Sequence, residues 1–179
     1  MLYQGVVIKK TDSGEHSQLI TLYTKEFGKL IAIAKSVKKN TSKQAGHLDV
    51  LNLVDFIFVA GKNYPIITSA QSLETFTGIK SLLSKNALAL FVLEAVDNLV
   101  YDYDKDPALW DFLLKKLNDL DKNQFLNGDF EDFFTDLKKE LVKVLGYAND
   151  LQEREINNLL ISLSSRQFYS LQFIEAVVK

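Results

Sequence analysis

The chain has 179 residues, of which 47% are hydrophobic and 25% are charged, and its formal net charge at pH 7 is -2. This composition is typical of a soluble globular protein and excludes a low-complexity chain, while the absence of cysteine excludes disulfides, thiolate metal sites and thiol catalysis. Residues 1–80 hold 10 lysines and 6 carboxylates, whereas residues 81–179 hold 11 basic and 17 acidic residues. Such an asymmetry concerns binding partners rather than the fold.

The first 75 residues have the pattern of β-strands, because their apolar residues are β-branched or aromatic and form short runs separated by turns. The predicted strands span residues 2–10, 18–25, 30–34, 51–60 and 64–72. Glu26-Phe27-Gly28-Lys29 predicts a tight hairpin between the second and third strands, and Gly61-Lys62-Asn63 predicts another between the fourth and fifth. Five short antiparallel strands favour a small closed or partly open barrel, which protects their edges.

The second part of the chain has the apolar period of about 3.6 residues that predicts helices. A long helix is expected over residues 82–100, and a second helix begins at Pro107 with Asp106 as its N-cap. The other expected helix boundaries are Asn127-Gly128-Asp129 and Gly146 for the third helix, Asp150 for the fourth and Ser165 for the last. We therefore expect an α+β protein, with a five-stranded barrel domain at 1–77 followed by a small helical domain at 78–179.

The sequence predicts neither a leader nor a membrane helix. The N-terminus has no basic segment followed by an apolar one, so no secretory signal is expected. Residues 82–100 are interrupted by charged side chains such as Lys85, Glu94 and Asp97, which a membrane-spanning helix would not tolerate. We expect a cytoplasmic, nucleoid-associated protein without a membrane partner.

The histidines do not form a recognisable catalytic cluster. His16 stands between Glu15 and Ser17, but adjacent residues of an extended chain point to opposite faces, so a polar turn is the expected role. His47 follows Gly46 and is expected to pack a turn, with a phosphate contact as the alternative.

Phosphate and metal motifs are missing from the sequence as well. It contains neither a GxxxxGK[ST] loop nor a GxGxxG fingerprint. The acidic pairs Asp102/Asp104 and Glu131/Asp132 suit exposed helix ends better than a cation site. We therefore expect no catalytic residue, no cofactor and no metal, and a hydrolytic enzyme is the weakest hypothesis.

A lysine-rich segment at residues 35–47, here called the lysine loop, connects the third and fourth strands. Its ammonium groups alternate with small hydroxyl and amide side chains, which together are the donors that bind phosphate oxygens. Between residues 25 and 43 the only carboxylate belongs to Glu26. The predicted phosphate-binding residues are Lys35, Lys38, Lys39 and Lys43 in the loop and Lys25 and Lys29 on the preceding hairpin. The pattern favours a polyanion as ligand, and the alternative is a merely solvated loop.

Strand aromatics are candidates for stacking on bases. Tyr23, Phe58 and Tyr64 have the positions that single-stranded nucleic acid would need on a small barrel, although most aromatics at strand spacing belong to a core.

Several segments, taken together, resemble one family. Val6-Val7-Ile8-Lys9, Asp12-Ser13-Gly14-Glu15-His16-Ser17 and the residues 19–29, 32–39 and 46–54 are similar, in order and spacing, to the N-terminal region of the bacterial recombination mediator family RecO. The resemblance implies an oligonucleotide-binding (OB) barrel and a helical domain in a non-enzymatic protein. Such proteins bind single-stranded and double-stranded DNA and anneal complementary strands. With a RecR-like mediator protein they load recombinase on DNA coated by single-strand-binding protein.

The same resemblance implies that Lys35, Lys38, Lys39 and Lys43 hold DNA phosphates. Many members also carry a four-cysteine zinc module among the helices, which this cysteine-free chain does not have. A contact with the acidic tail of single-strand-binding protein would need an apolar pocket rimmed by basic groups. The candidates for such a rim are Lys115, Lys116, Lys138, Lys139 and Lys143.

The leading hypothesis is therefore a DNA-binding recombination mediator in DNA repair, which acts by positioning and charge neutralisation. The alternative is a protein-interaction module without intrinsic DNA binding, and RNA is an alternative ligand within the first class.

Overall fold

A computed structural model of the chain describes residues 1–122, 129–147, 151–164 and 166–177. The strands are β1 (Tyr3–Asp12), β2 (Gln18–Thr24), β3 (Gly28–Ala34), β4 (Leu53–Val59) and β5 (Ile66–Glu74). The helices of the described residues are α1 (Thr77–Ser81), α2 (Leu83–Leu99), α3 (Pro107–Lys122), α4 (Asp129–Val144), α5 (Glu153–Leu163) and α6 (Tyr169–Val177). The predicted boundary residues Asn127, Gly128, Asp150 and Ser165 lie outside the described residues.

The strands close into a barrel with the order β1-β2-β3-β5-β4. Both predicted hairpins are confirmed, because β2 pairs with β3 and β4 pairs with β5 in antiparallel fashion. β1 pairs with β2 on one side and with β4 on the other, and β3 meets β5 in parallel at Ile33 and Ile66. This is the topology of an OB fold, and with the helices that follow it confirms the α+β class.

The barrel core is formed by alternating side chains of the strands. In β2, Ile20 and Leu22 are fully buried, and Leu30 of β3 lies in the same core. Val37 within the lysine loop and Leu48 directly after it also belong to this core. The loop is therefore anchored at two apolar points, between which Lys38, Lys39 and Lys43 are exposed.

The helical part follows the predicted pattern with one addition. The long helix is α2, and α3 begins at Pro107 as expected. α4 ends at Val144, two residues before Gly146, whose φ of 86° is the left-handed conformation that terminates helices. The short helix α1 was not predicted as a separate element, and the extended backbone of Leu82 divides it from α2.

Packing divides the chain into two units. The barrel unit contains Met1–Thr75 and Val100–Asp106, and the helical unit contains Phe76–Leu99 and Pro107–Lys179. Residues 100–106, here called the strap, thus belong to the barrel although they follow α2 in the sequence. Within the described residues, no helix has the length and apolar character needed to cross a membrane.

Candidate nucleic-acid interface

The lysine loop is held in place by hydrogen bonds on both sides. The Lys38 amide donates to the His16 carbonyl over 3.1 Å, which ties the loop to the β1–β2 connection. The Gln44 side-chain amide donates to the Thr68 carbonyl on β5 over 2.9 Å. Together with the buried Val37, these contacts fix the backbone on which the lysines stand.

The four lysines of the loop divide into two kinds. Lys35, Lys39 and Lys43 are exposed, and no carboxylate of the described residues pairs with them within 4.0 Å. Lys38 Nζ, by contrast, lies 2.7 Å from Asp12 Oδ2. The hydrogen bonds that Lys38 and Gln18 donate to the Asp12 carboxylate lower the pKa of that carboxyl. Part of the positive charge predicted for the loop is therefore neutralised within the barrel.

The histidines have the structural roles that the sequence indicates. His47 Nδ1 accepts a hydrogen bond from the Ser72 amide over 3.2 Å and lies 3.0 Å from the Ser72 hydroxyl, so this ring attaches the end of the lysine loop to β5. His16 lies in the β1–β2 turn, with its Nε2 atom 3.8 Å from a Glu15 carboxylate oxygen. Among the residues that the structure describes, no serine hydroxyl is hydrogen-bonded to the His16 ring, and the Ser17 hydroxyl instead accepts from the Ser36 amide.

Two connections meet at one end of the barrel, here called the loop end: residues 13–17 and 35–39. The Ser36 amide donates to the Ser17 hydroxyl over 3.4 Å. The β4–β5 connection lies elsewhere, because β5 runs parallel to β3 and the residues before Ile66 therefore lie toward the Gly28 end of β3, although the Ile33 amide donates to the Pro65 carbonyl over 2.8 Å. Lys62, which is exposed in that connection, is therefore separate from the lysine loop.

Lys25 and Lys29 lie at the opposite end of the β2–β3 hairpin. β3 extends from Gly28 to Ala34, so these lysines are about 20 Å along the strand from the loop end. Lys29 is buried, with its Nζ atom 3.3 Å from Asp102 Oδ1 of the strap. The expectation that Lys29 extends an exposed positive surface was wrong, because a carboxylate distant in sequence covers it. Lys25 is exposed but does not continue the loop end.

The three aromatic residues considered for base stacking differ in their exposure to solvent. Tyr23 is fully buried, and its hydroxyl donates to the Asp106 carbonyl of the strap over 3.3 Å, so it does not offer a stacking face. Burial raises its pKa to about 12. Phe58 packs in a ring cluster with Tyr3 and Phe27, at centroid distances of 5.1 and 5.8 Å. Tyr64, at 41% exposure, is the candidate whose ring reaches solvent.

The acidic pair Asp102/Asp104 belongs to the strap rather than to a helix end. Asp102 pairs with Lys29, and the backbone of Asp104 lies against Gly28. Among the described residues, no group of three or more histidine or carboxylate side chains could hold a metal ion.

The helical unit contains a cavity of about 560 Å³ between α4, α5 and α6. Phe134 and Phe168 contribute apolar surface, and Lys138 and Arg166 contribute positive charge. Lys138 is 2% exposed and pairs with Glu153 at 2.6 Å, and this bond lowers the pKa of the Glu153 carboxyl. Of the lysines named as a possible basic rim, Lys138 lines the cavity, whereas Lys116 is buried against Glu140.

The fold and its lysine loop define a class: a closed OB-type barrel with exposed lysines at one end, followed by helices in the same chain. Residues 1–76 match the family model described as "Recombination protein O N terminal". Residues 1–76 therefore belong to the RecO family as its N-terminal region.

Curated proteins similar to the chain are named "DNA repair protein RecO". A protein of Dehalococcoides mccartyi strain BAV1 is 32% identical over 118 residues, which cover 66% of this chain and 47% of that protein. One from strain 195 is 30% identical over 150 residues, which cover 84% of this chain and 58% of that protein. One from Thermoanaerobacter sp. strain X514 is 27% identical over 148 residues, which cover 83% of this chain and 58% of that protein. The chain thus spans about half the length of the curated relatives it matches.

Proposed function

We propose that the chain is a DNA-binding recombination mediator in DNA repair, with the barrel, residues 1–77, as its nucleic-acid-binding domain and residues 78–179 as its helical domain. The observation that carries the proposal is the group of exposed lysines on an anchored loop of an OB barrel. Lys35, Lys39 and Lys43 contact phosphates, Lys38 contacts a phosphate when it exchanges Asp12 for it, and Lys25 is a peripheral contact. Lys29 stays with Asp102 and is not part of the interface.

The action proposed for this surface is positioning of DNA without covalent chemistry. Lysines that neutralise phosphates release counterions, so binding weakens as salt increases. Because phosphates are common to single and double strands, the loop accepts both, and a surface that neutralises two strands promotes their annealing.

The test is a titration of labelled single-stranded DNA with the full chain over a range of salt concentrations. The variant Lys35→Glu/Lys39→Glu/Lys43→Glu removes three unpaired cations. At about 0.7 per phosphate for single strands, the slope of log K against log salt is expected to decrease by about 2.

The matched control is Lys115→Glu/Lys122→Glu/Lys143→Glu, which changes three exposed lysines of the helical unit and alters the net charge equally. This variant is expected to keep most of the affinity. Equal losses in both variants would show that overall charge, and not the lysine loop, determines binding. A competition between DNA and RNA oligonucleotides then separates the two nucleic acids.

Annealing and recombinase loading are proposed as consequences of the same binding. The loop variant is expected to slow the annealing of complementary strands and to reduce loading assisted by a RecR-like protein. If the unchanged chain showed no DNA affinity at low salt while a pull-down recovered a partner protein, the protein-interaction module would be the better description.

We propose single-strand-binding protein as a second partner, at the cavity of the helical unit. Its acidic tail would meet the exposed Arg166 at the rim and the apolar rings of Phe134 and Phe168 inside. Arg166→Glu is expected to weaken binding of a labelled tail peptide, whereas Lys143→Glu, which does not line the cavity, leaves it unchanged.

A further inference from the structure

Two buried lysines of the helical unit form the same kind of ion pair. Lys138 is 2% exposed, and its Nζ atom lies 2.6 Å from Glu153 Oε1. Lys116 is 6% exposed, and its Nζ atom lies 2.6 Å from Glu140 Oε1. The first pair lines the cavity between α4, α5 and α6, whereas the second does not.

The two partners of the cavity pair are held to different degrees. Lys138 Nζ also donates to Asn157 Oδ1 over 3.1 Å and lies 4.4 Å from the centre of the Phe134 ring. The Glu153 side chain is 51% exposed and accepts a longer hydrogen bond, of 3.3 Å, from the Thr135 hydroxyl. The ammonium group is therefore a fixed part of the cavity wall, whereas the carboxylate is free to turn out into water when a ligand replaces it.

The charges of the cavity lining are balanced in the free chain. Among the described residues of the lining, Lys138 and Arg166 are positive, and Glu131 and Glu153 are negative. Arg166 Nη1 also lies 3.4 Å from Asp97 Oδ2. An acidic ligand gains little from a cavity in this state, because both cations already have carboxylate partners. When Glu153 turns away, positive charge predominates and the cavity becomes complementary to an anion.

An exchange of carboxylates follows from the burial of Lys138. A buried ammonium group without a charged partner is costly, so Glu153 leaves it only when another anion takes the same position. An acidic peptide makes this exchange, and a neutral peptide does not. The requirement for an anionic ligand is then a property of the ion pair and not of the apolar rings.

We propose that Glu153 is an internal competitor of the acidic tail: its carboxylate occupies the position at which a carboxylate of the tail binds Lys138. This inference rests on the proposed binding of single-strand-binding protein at the cavity. It adds the residue that limits the affinity and selects for acidic ligands. The hydrogen bond from Lys138 lowers the pKa of the Glu153 carboxyl, so the competitor is ionised at neutral pH.

The experiment measures binding of a labelled peptide, Asp-Asp-Asp-Leu-Leu with an amidated C-terminus, to the full chain and to Glu153→Gln. Glutamine has the size of glutamate and keeps an oxygen for Lys138, but it has no charge with which to compete. The variant is expected to bind the peptide at least about 10-fold more tightly, the factor that corresponds to one hydrogen bond between charged groups. The neutral peptide Asn-Asn-Asn-Leu-Leu is expected to show no such gain.

Glu140→Gln is the matched control, because it removes the partner of the other buried lysine and leaves the cavity lining unchanged. It is expected to bind the acidic peptide as the unchanged chain does. An equal gain in this control would indicate a general charge effect and would overturn the role of Glu153. Adding Lys138→Met to Glu153→Gln is expected to abolish the gain, and a gain that persisted would mean that the peptide does not bind Lys138.

The outcomes separate this inference from the one on which it rests. If the unchanged chain binds the acidic peptide and Glu153→Gln binds it no more tightly, the competitor is refuted and the tail site in the cavity stands. If neither chain binds the peptide, the tail site and its competitor are both refuted. DNA binding by the barrel is measured separately with an oligonucleotide and is expected to be the same in all these variants.

Thermal unfolding gives a second readout. Glu153→Gln and Glu140→Gln each leave a buried ammonium group without its charged partner, so both are expected to lower the melting temperature. Saturating acidic peptide is expected to restore the melting temperature of Glu153→Gln alone, because its free ammonium group lies in the cavity. Restoration of neither variant, or of both equally, would contradict the exchange at Lys138.

Discussion

Ion pairs with carboxylates from outside the lysine loop determine which lysines of the barrel are available to bind a ligand. Asp12 of β1 compensates Lys38, and Asp102 of the strap compensates the buried Lys29. Lys35 and Lys39, which lie close to Lys38 in sequence, remain exposed. The interface is thus defined by tertiary ion pairs as much as by the density of lysine.

Removing the partner of Lys38 should therefore strengthen DNA binding. In Asp12→Asn the ammonium of Lys38 becomes available, and the salt slope on single strands is expected to steepen by about 0.7, with a higher affinity. Asp111→Asn, an exposed carboxylate of α3 with the same charge change, is the control in the same titration. A steeper slope in the control as well would indicate a long-range charge effect.

The raised pKa of Tyr23 predicts how the stability of the barrel unit depends on alkaline pH. Its pKa is raised to about 12 in the folded chain and is about 10 in an unfolded one, so the folded state holds the proton more tightly. Stability is then lost as pH rises from about 10 to about 12. Tyr23→Phe is expected to cost about 0.5–1.5 kcal/mol at neutral pH, because the hydrogen bond to Asp106 is lost, and to flatten this alkaline dependence. Urea unfolding at several pH values measures both effects.

At the scale of elements, the strap completes the barrel where the strands leave an edge. β3 meets β5 only at its far end, near Ile33, so the edge of β3 at Gly28 and Lys29 has no β5 neighbour. Asp102 forms an isolated parallel bridge with Lys29, and the Tyr103 amide donates to the Lys29 carbonyl over 2.8 Å. The strap thereby satisfies backbone groups that an open edge would expose.

The close approach of strap and hairpin makes Gly28 sensitive to substitution. Its φ is 68°, and a Cβ atom there would lie 2.0 Å from the Asp104 carbonyl oxygen. Gly28→Ala is therefore expected to destabilise the barrel unit by at least about 2 kcal/mol, through backbone strain and displacement of the strap. Gly46→Ala, with no atom within 4 Å of the new methyl group, is expected to stay within about 0.5 kcal/mol in the same unfolding assay.

The strands and most helices could be predicted from the sequence because their signals are local. Each signal determines the conformation of the residues next to it: the hairpin turns, the period of the apolar residues, Pro107 at a helix start and Gly146 after a helix end. The burial of Tyr23 and Lys29 could not be predicted, because the strap that covers them comes about 75 residues later and has no pattern that indicates a barrel.

On the scale of the whole molecule, the barrel unit is discontinuous in sequence. Residues 100–106 pack with it, whereas α2 before them and α3 after them belong to the helical unit. The region matched by the family model ends at residue 76 and therefore contains the strands without the strap.

Hydrogen exchange should report this division. The Tyr103 amide, which donates to Lys29, is expected to exchange with the same denaturant dependence as barrel amides such as that of Lys25. The Asn86 amide of α2 represents the helical unit in the same experiment. Should Tyr103 exchange together with Asn86 instead, the strap would unfold as part of the helices.

The strap also sets a condition on how related sequences can change. The strap is joined to the β2–β3 hairpin by the contact of Asp104 with Gly28 and by the ion pair of Asp102 with Lys29. Connections between helices tolerate insertions, so the length of the α2–α3 connection can change between related sequences. Positions 29 and 102 are therefore expected to covary, and relatives with a longer α2–α3 connection should lose the lysine and the aspartate of this pair together.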